Sequence, residues 1–263
     1  MKYAFSTLGV PGLPIPEVIA LAVANGYHGV ELRGHPEEPV HPGIGSRERA
    51  AVVDEFKRAG IEILTVAGYA RVADASLDDE ALREELDGLL RLAGDLGARY
   101  VRVFPGGGDT DPDEADATAA RRLAAAGETA ADLGVHILLE THDSHRTGAA
   151  SARVLGPVGH PNVGALWDVM HTWLAGEDAR TTHAALGPYL GYVQVKDIAS
   201  ADDTTPLALG AGVLPLAEYL ALLDDESWVC WEYEKRWYPG AAELPGQLRA
   251  GRDYLEGLSG KVG

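Results

Sequence analysis

The sequence of 263 residues contains one cysteine, Cys230, so no disulfide can form within the chain and a small disulfide-stapled scaffold is excluded. Such usage fits a reducing cytoplasm. Cys230 lies in an apolar run with nothing nearby to stabilise a thiolate, and is expected to be a core thiol rather than a nucleophile. Basic residues are also few, 22 against 40 acidic ones, giving a formal net charge of −18. That field repels nucleic acid and anionic membrane surfaces but leaves a small ligand free to bind. No apolar stretch approaches membrane-spanning length, and the segment from Met1 to Leu8 enters a strand-like pattern without a signal-peptide core. A cytoplasmic protein is expected. There is no Pro/Gly/Ser linker to mark a domain boundary, and no Gly-x-Gly-x-x-Gly loop follows the first strand, where an open dinucleotide-binding sheet would carry one.

Hydrophobic residues make up 46% of the chain and charged ones 24%, values of a globular protein with a sizeable core. Strand-like runs at Lys2–Leu8, Gly29–Arg33, Ile61–Tyr69, Tyr100–Phe104, His136–Glu140, Val163–Asp168, Gly191–Val195 and Trp228–Glu232 alternate with helical stripes. The clearest stripe is Leu82, Leu86, Leu89, Leu90, Ala93 and Leu96. Gly26, Gly60, Gly97 and Gly134 each stand between a stripe and the next strand, where a left-handed helix cap belongs. Further helices are expected near Ala149–Leu155, ending near Gly187, over Val213–Leu223, and from Leu244 to Leu258. The acidic runs around Asp78, Asp111 and Asp224 read as solvated helix faces and helix N-termini. Eight strand-helix units without a composition break predict a single (β/α)8 barrel over residues 1–263, with an open doubly wound sheet as the alternative.

In such a barrel the chemistry sits at the C-terminal strand ends. Glu140, Asp168, Gln194 and Glu232 end the fifth to eighth strands at separations of 28, 26 and 38 residues, so consecutive staves can aim them into one pocket. Three carboxylates gathered there repel one another unless a cation balances them. Taken singly, each carboxylate is as well explained by pairing with Lys196 or an arginine; four in phase favour a metal. All four offer oxygen, which suits Mg²⁺ or Mn²⁺ better than zinc. Arg33, Tyr69, Arg102 and Phe104 end the second to fourth strands and are expected across the pocket. Trp237 could offer its ring to a sugar, whereas Trp167 and Trp231 alternate away from the ligand positions and are expected in the core.

The segments Leu139-Glu140-Thr-His142, Trp167-Asp168-Val-Met-His171, Val193-Gln194-Val-Lys196-Asp197, Leu209-Gly-Ala-Gly212 and Trp231-Glu232-Tyr-Glu234, in this order, resemble the xylose-isomerase-like barrels of the sugar phosphate isomerase/epimerase superfamily. That superfamily includes ketose 3-epimerases, hydroxypyruvate isomerase and inosose dehydratase. The resemblance spans nearly the whole chain. It implies that Glu140, Asp168, Gln194 and Glu232 hold the metal and that His171 lies beside the substrate. The third ligand is commonly histidine in that group; Gln194 resembles the hydroxypyruvate isomerase pattern and makes the site harder. The implied reaction is isomerisation or epimerisation of a small sugar or keto-sugar through a metal-held enediolate. In it Glu140 and Glu232 are the catalytic acid-base pair, and His142, His171, Lys196 and Arg102 are substrate-binding. A lyase of the inosose dehydratase kind would use the same residues. An abasic-site endonuclease is disfavoured by Gln194 and the charge of −18, and a non-catalytic sugar-binding barrel by retention of the carboxylates. No nucleic-acid or membrane partner is expected; a homo-oligomer is compatible with the sequence.

Overall fold

Strand alternation decides which side chains enter the barrel. The structure, a computed structural model, describes residues 1–259. Strands β1 (Lys2–Ser6), β2 (Gly29–Arg33), β3 (Glu62–Arg71), β4 (Tyr100–Phe104), β5 (His136–Glu140), β6 (Val163–Asp168) and β7 (Leu190–Val195) pair in sequence, each parallel to the next. A hairpin of β8 (Ile198–Ser200) and β9 (Asp203–Pro206) intervenes. Strand β10 (Trp228–Trp231) then pairs with both β7 and β1 and closes the ring. The expected barrel is the observed one. Closure removes both sheet edges and gives each strand two neighbours.

Helices α1 (Ile15–Asn25), α2 (Ser46–Ala59), α3 (Asp79–Leu96), α4 (Pro112–Asp132) and α5 (Gly148–Val158) follow the first five strands. Their apolar faces cover the outside of the sheet. Asp78 caps α3 by accepting from Glu80 N and Ala81 N, and Asp111 caps α4 through Asp113 N and Glu114 N. These acidic runs therefore serve helix N-termini, where a negative charge is stabilised. Gly26, Gly60, Gly97 and Gly134 all take positive φ, 75°, 68°, 68° and 69°, as helix termination before a strand requires.

The second half departs from the expected pattern in four places. The helix expected to end near Gly187 is two, α6 (Val169–Leu174) and α7 (Ala179–Leu186). Gly176 at φ 78° turns the chain between them, and Asp178 caps the second. The β8–β9 hairpin was not anticipated, being too short to show alternation. The helix expected over Val213–Leu223 contracts to α8 (Leu216–Leu220), because Pro215 stands at its start and the preceding residues are drawn into the loop around Asp197. The last helix, α9 (Leu248–Ser259), begins later than expected. None of the described helices is long and apolar enough to cross a membrane.

Two apolar zones result. The larger lies between sheet and helices and takes Trp167 and Trp231, both fully buried as expected. The smaller fills the barrel lumen with Ala4, Leu64, Leu138, Leu166, Tyr192 and Cys230, so the lone thiol is core. Two residues further along four of these strands come Glu140, Asp168, Gln194 and Glu232. The period of two puts them on the same inward face, one layer above the apolar floor.

Candidate active site

The four expected ligand residues are all buried, between 0% and 4% exposed. Register places Asp168 beside Gln194 and Gln194 beside Cys230, while Glu232 follows β10 directly and donates its backbone N–H to Val195 O. Asp168 is also the N-cap of α6: its Oδ1 accepts from Met170 N at 2.9 Å and His171 N at 3.4 Å. Thr141 ties β5 to β6 by accepting from Asp168 N and donating to Asp168 O. These bonds fix the Asp168 carboxylate on rigid backbone.

Above this layer opens a cavity of about 250 Å³. Its polar wall is Arg102, Glu140, His142, His171, Glu232 and Glu234, and its rim includes Leu8, Tyr69, Phe104 and Trp237. Glu140 and Glu232 enter from staves three apart around the ring. Asp168, Gln194 and Lys196 do not reach the cavity wall; they lie buried among the side chains that form it. A larger cavity, about 520 Å³, lies at the opposite end among the first residues of β4 to β7. The N-terminal end of a barrel serves stability rather than chemistry, and neither Glu140 nor Glu232 lines this cavity.

Two buried cations hold the carboxylates. Arg102 Nη1 is 3.1 Å from Glu140 Oε2, and its guanidinium carbon stands 3.9 Å from the centre of the Phe104 ring. Lys196 Nζ reaches Asp168 Oδ2 at 2.7 Å, Glu234 Oε1 at 2.7 Å, and Glu232 Oε2. The expected pairing with Lys196 or an arginine is thus the arrangement observed for Glu140, Asp168 and Glu232. Burial pushes the Glu140 carboxyl up to about 8 despite Arg102. Burial would also raise Asp168, but Lys196 overrides it and holds this carboxyl below the usual range. His171 is pushed down to about 3 by burial, with Lys196 adding to the effect, so its ring is neutral. Burial opposes charge on His142, yet the bond to Asp143 Oδ2 and the field of Glu140 raise it.

The sequence reading missed Glu31, a fully buried residue of β2. Gln194 Nε2 donates to Glu31 Oε1 at 3.1 Å, to Glu31 Oε2 at 3.0 Å and to Glu232 Oε1 at 3.1 Å, and Tyr192 OH donates to Glu31 Oε2. Carboxylates can only accept, so they dictate the amide's orientation and leave Gln194 Oε1 without a donor. The inward alternation of β2 was the available signal. Glu234 stood in the Trp231–Glu234 segment without a role of its own, and Asp143 was missed. Asp143 sits at φ 33° and accepts from Gly106 N, so a strained loop residue tethers His142.

The donor chemistry fits a divalent cation. Glu140 Oε2, Asp168 Oδ2 and Gln194 Oε1 are buried acceptors that receive no hydrogen bond. The first two lie within ion-pair distance of Arg102 and Lys196 but without hydrogen-bond alignment. Gln194 Oε1 alone among them has neither a donor nor a charged partner; an unpaired buried acceptor is costly, and a divalent cation there would satisfy it. A second donor group overlaps the first: ligand atoms of Glu140, His142 and His171 all lie within 4.8 Å of one another. Its two nitrogens suit zinc.

Comparison with known proteins shows which fold and family the chain shares. The chain is 27% identical over 209 residues to the 3-dehydroshikimate dehydratase of Bacillus anthracis, covering 77% of this chain and 74% of that one. Among solved structures it resembles the probable 3-DHS dehydratase AsbF of Bacillus anthracis, with TM-score 0.81, 22% identity and coverage of 97% and 99% of the two chains. It also resembles IOLI with a bound zinc atom, with TM-score 0.84, 18% identity and coverage of 100% and 99%. D-psicose 3-epimerase in the presence of D-fructose gives 0.83, 16%, and 99% and 100%. These structural likenesses establish the shared fold. The sequence model of one family matches residues 19–258, and the chain belongs to that family, the xylose isomerase-like TIM barrels.

Proposed function

We propose that the protein is a divalent-metal-dependent isomerase or epimerase of a small sugar or hydroxy-ketone. One observation carries this reading: Glu140 and Glu232 open onto the same cavity from staves three apart, each backed by its own buried cation. Glu140, Asp168, Gln194 and Glu232 would hold Mn²⁺ or Mg²⁺. Held there, the cation would draw electron density from a carbonyl and the neighbouring hydroxyl and so acidify the carbon-bound proton between them. Glu232 takes that proton and Glu140 returns one from the other side. Arg102 keeps Glu140 in place, and His142 and His171 bind hydroxyls from the cavity wall. The cavity of about 250 Å³ suits a substrate smaller than those of ordinary drug-sized pockets.

Deuterium wash-in tests the reaction. Incubation in D₂O with Mn²⁺ and a panel of ketoses should place solvent deuterium at one carbon without loss of mass from the carbon skeleton. Glu140→Gln and Glu232→Gln should each slow turnover by roughly 10²–10⁴-fold, the usual contribution of a positioned acid or base. Full turnover in either variant contradicts the assignment.

A dehydratase reading is favoured by the relative named 3-dehydroshikimate dehydratase. In that case Glu232 removes the same proton and Glu140 or His142 protonates a departing β-hydroxyl. Its mark would be loss of one water with a new conjugated-carbonyl or aromatic absorbance.

A further inference from the structure

The carboxylate layer contains more acid than cation. Glu31, Glu140, Asp168, Glu232 and Glu234 are gathered around two permanent cations, Arg102 and Lys196. Lys196, only 2% exposed, is surrounded by oxygens from three carboxylates. Two of those carboxylates, Asp168 and Glu232, belong to the expected ligand set. The third, Glu234, does not.

Both ligand carboxylates are fully engaged. Asp168 Oδ1 is occupied as the cap of α6 and Oδ2 faces the ammonium, whereas Glu232 Oε1 accepts from Gln194 and Oε2 accepts from Lys196. A divalent cation at Asp168 Oδ2 and Glu232 Oε2 competes with Lys196 for those oxygens. An ammonium and a divalent ion cannot share those oxygens at bonding distance without strong repulsion. Glu234 supplies what makes exchange feasible: a carboxylate outside the ligand set, 2.7 Å from Nζ, that can keep the buried ammonium neutralised.

We infer that Lys196 is an exchangeable internal counter-ion, holding Asp168 and Glu232 in the metal-free protein and yielding them to a divalent cation while it stays paired with Glu234. Lys196 thereby weakens metal affinity and keeps the buried carboxylates assembled when no metal is bound. This rests on the reading that the site takes a divalent cation.

The test is Mn²⁺ titration of the full chain, by calorimetry and by the loss of the free-ion paramagnetic resonance signal, with thermal unfolding in EDTA and in Mn²⁺. Lys196→Met should bind Mn²⁺ at least about tenfold more tightly, a shift of the size outer-shell changes produce. It should melt lower than wild type in EDTA and gain more from Mn²⁺. Glu234→Gln should shift the other way, because the ammonium then has only Asp168 and Glu232 to neutralise it. Unchanged or weaker binding by Lys196→Met overturns the inference while leaving the metal-enzyme reading intact. If Lys196→Met does not fold, Glu234→Gln decides: binding as tight as wild type overturns it. Binding by Lys196→Met alone supports the inference and counts against a metal-dependent wild type. No binding by any form at millimolar Mn²⁺ removes both.

Discussion

Replacing Asp197 with alanine should destabilise the protein more than any surface change, because this one carboxylate organises the loop between β7 and β10. Asp197 is 1% exposed and accepts from four backbone amides: Ile198 N at 3.1 Å, Gly210 N at 2.9 Å, Gly212 N at 2.9 Å and Leu214 N at 3.2 Å. Gly212 is required there, since a Cβ would collide with the carboxylate itself and with Ile198 O. In Asp197→Ala the Gly210 and Gly212 amides are close enough to the surface to regain water, whereas those of Ile198 and Leu214 stay buried. Two orphaned buried donors at about 1–3 kcal/mol each give a loss of roughly 2–6 kcal/mol. Taking about 4 kcal/mol, and a shift of about 2–4 °C per kcal/mol for a chain of comparable size, Tm falls by roughly 8–16 °C. Asp197→Asn keeps one acceptor oxygen and should lose less. Urea unfolding followed by tryptophan fluorescence measures the difference. A loss below about 1 kcal/mol in Asp197→Ala would refute the claim that this carboxylate anchors the loop.

Gln194→His should turn the hard site toward zinc: a ring nitrogen can donate to Glu31 in place of the amide while the other faces the cation, and competition binding should show Zn²⁺ or Co²⁺ gaining on Mg²⁺ by about 10–100-fold. An unchanged ranking of metals counts against Gln194 as a ligand. At the surface, Arg121 and then Arg122 pull the Asp79 carboxyl down to about 2. A depressed carboxyl stabilises the fold above its unfolded value of about 3.9 and loses that contribution as pH falls. Asp79→Asn should therefore be less stable than wild type at neutral pH, with the gap in urea midpoint closing toward about pH 2; a gap independent of pH would argue against the pairing.

How much of this was legible in the sequence depended on whether the determining contacts were local. Helix stripes and left-handed glycine caps are local, so Leu82 to Leu96 followed by Gly97 could be read directly. The phase of Glu140, Asp168, Gln194 and Glu232 was legible because each ends an apolar strand and the unit length repeats. Glu31 was not, because Gly-Val-Glu-Leu-Arg looks like any strand until closure brings β2 within reach of Gln194. The shared role of Lys196 was similarly hidden: its partners come from β6 and from beyond β10, and sequence spacing does not reveal that three carboxylates meet at one ammonium. The short hairpin and the contracted α8 were lost because the hydrogen bonds of Asp197, rather than apolar periodicity, determine that stretch.

The most direct test of the central claim is an anomalous difference map from crystals soaked in Mn²⁺. The account predicts one strong peak coordinated by Glu140, Asp168, Gln194 Oε1 and Glu232, with Lys196 withdrawn to Glu234. A peak between Glu140, His142 and His171, or none at millimolar Mn²⁺, would contradict it.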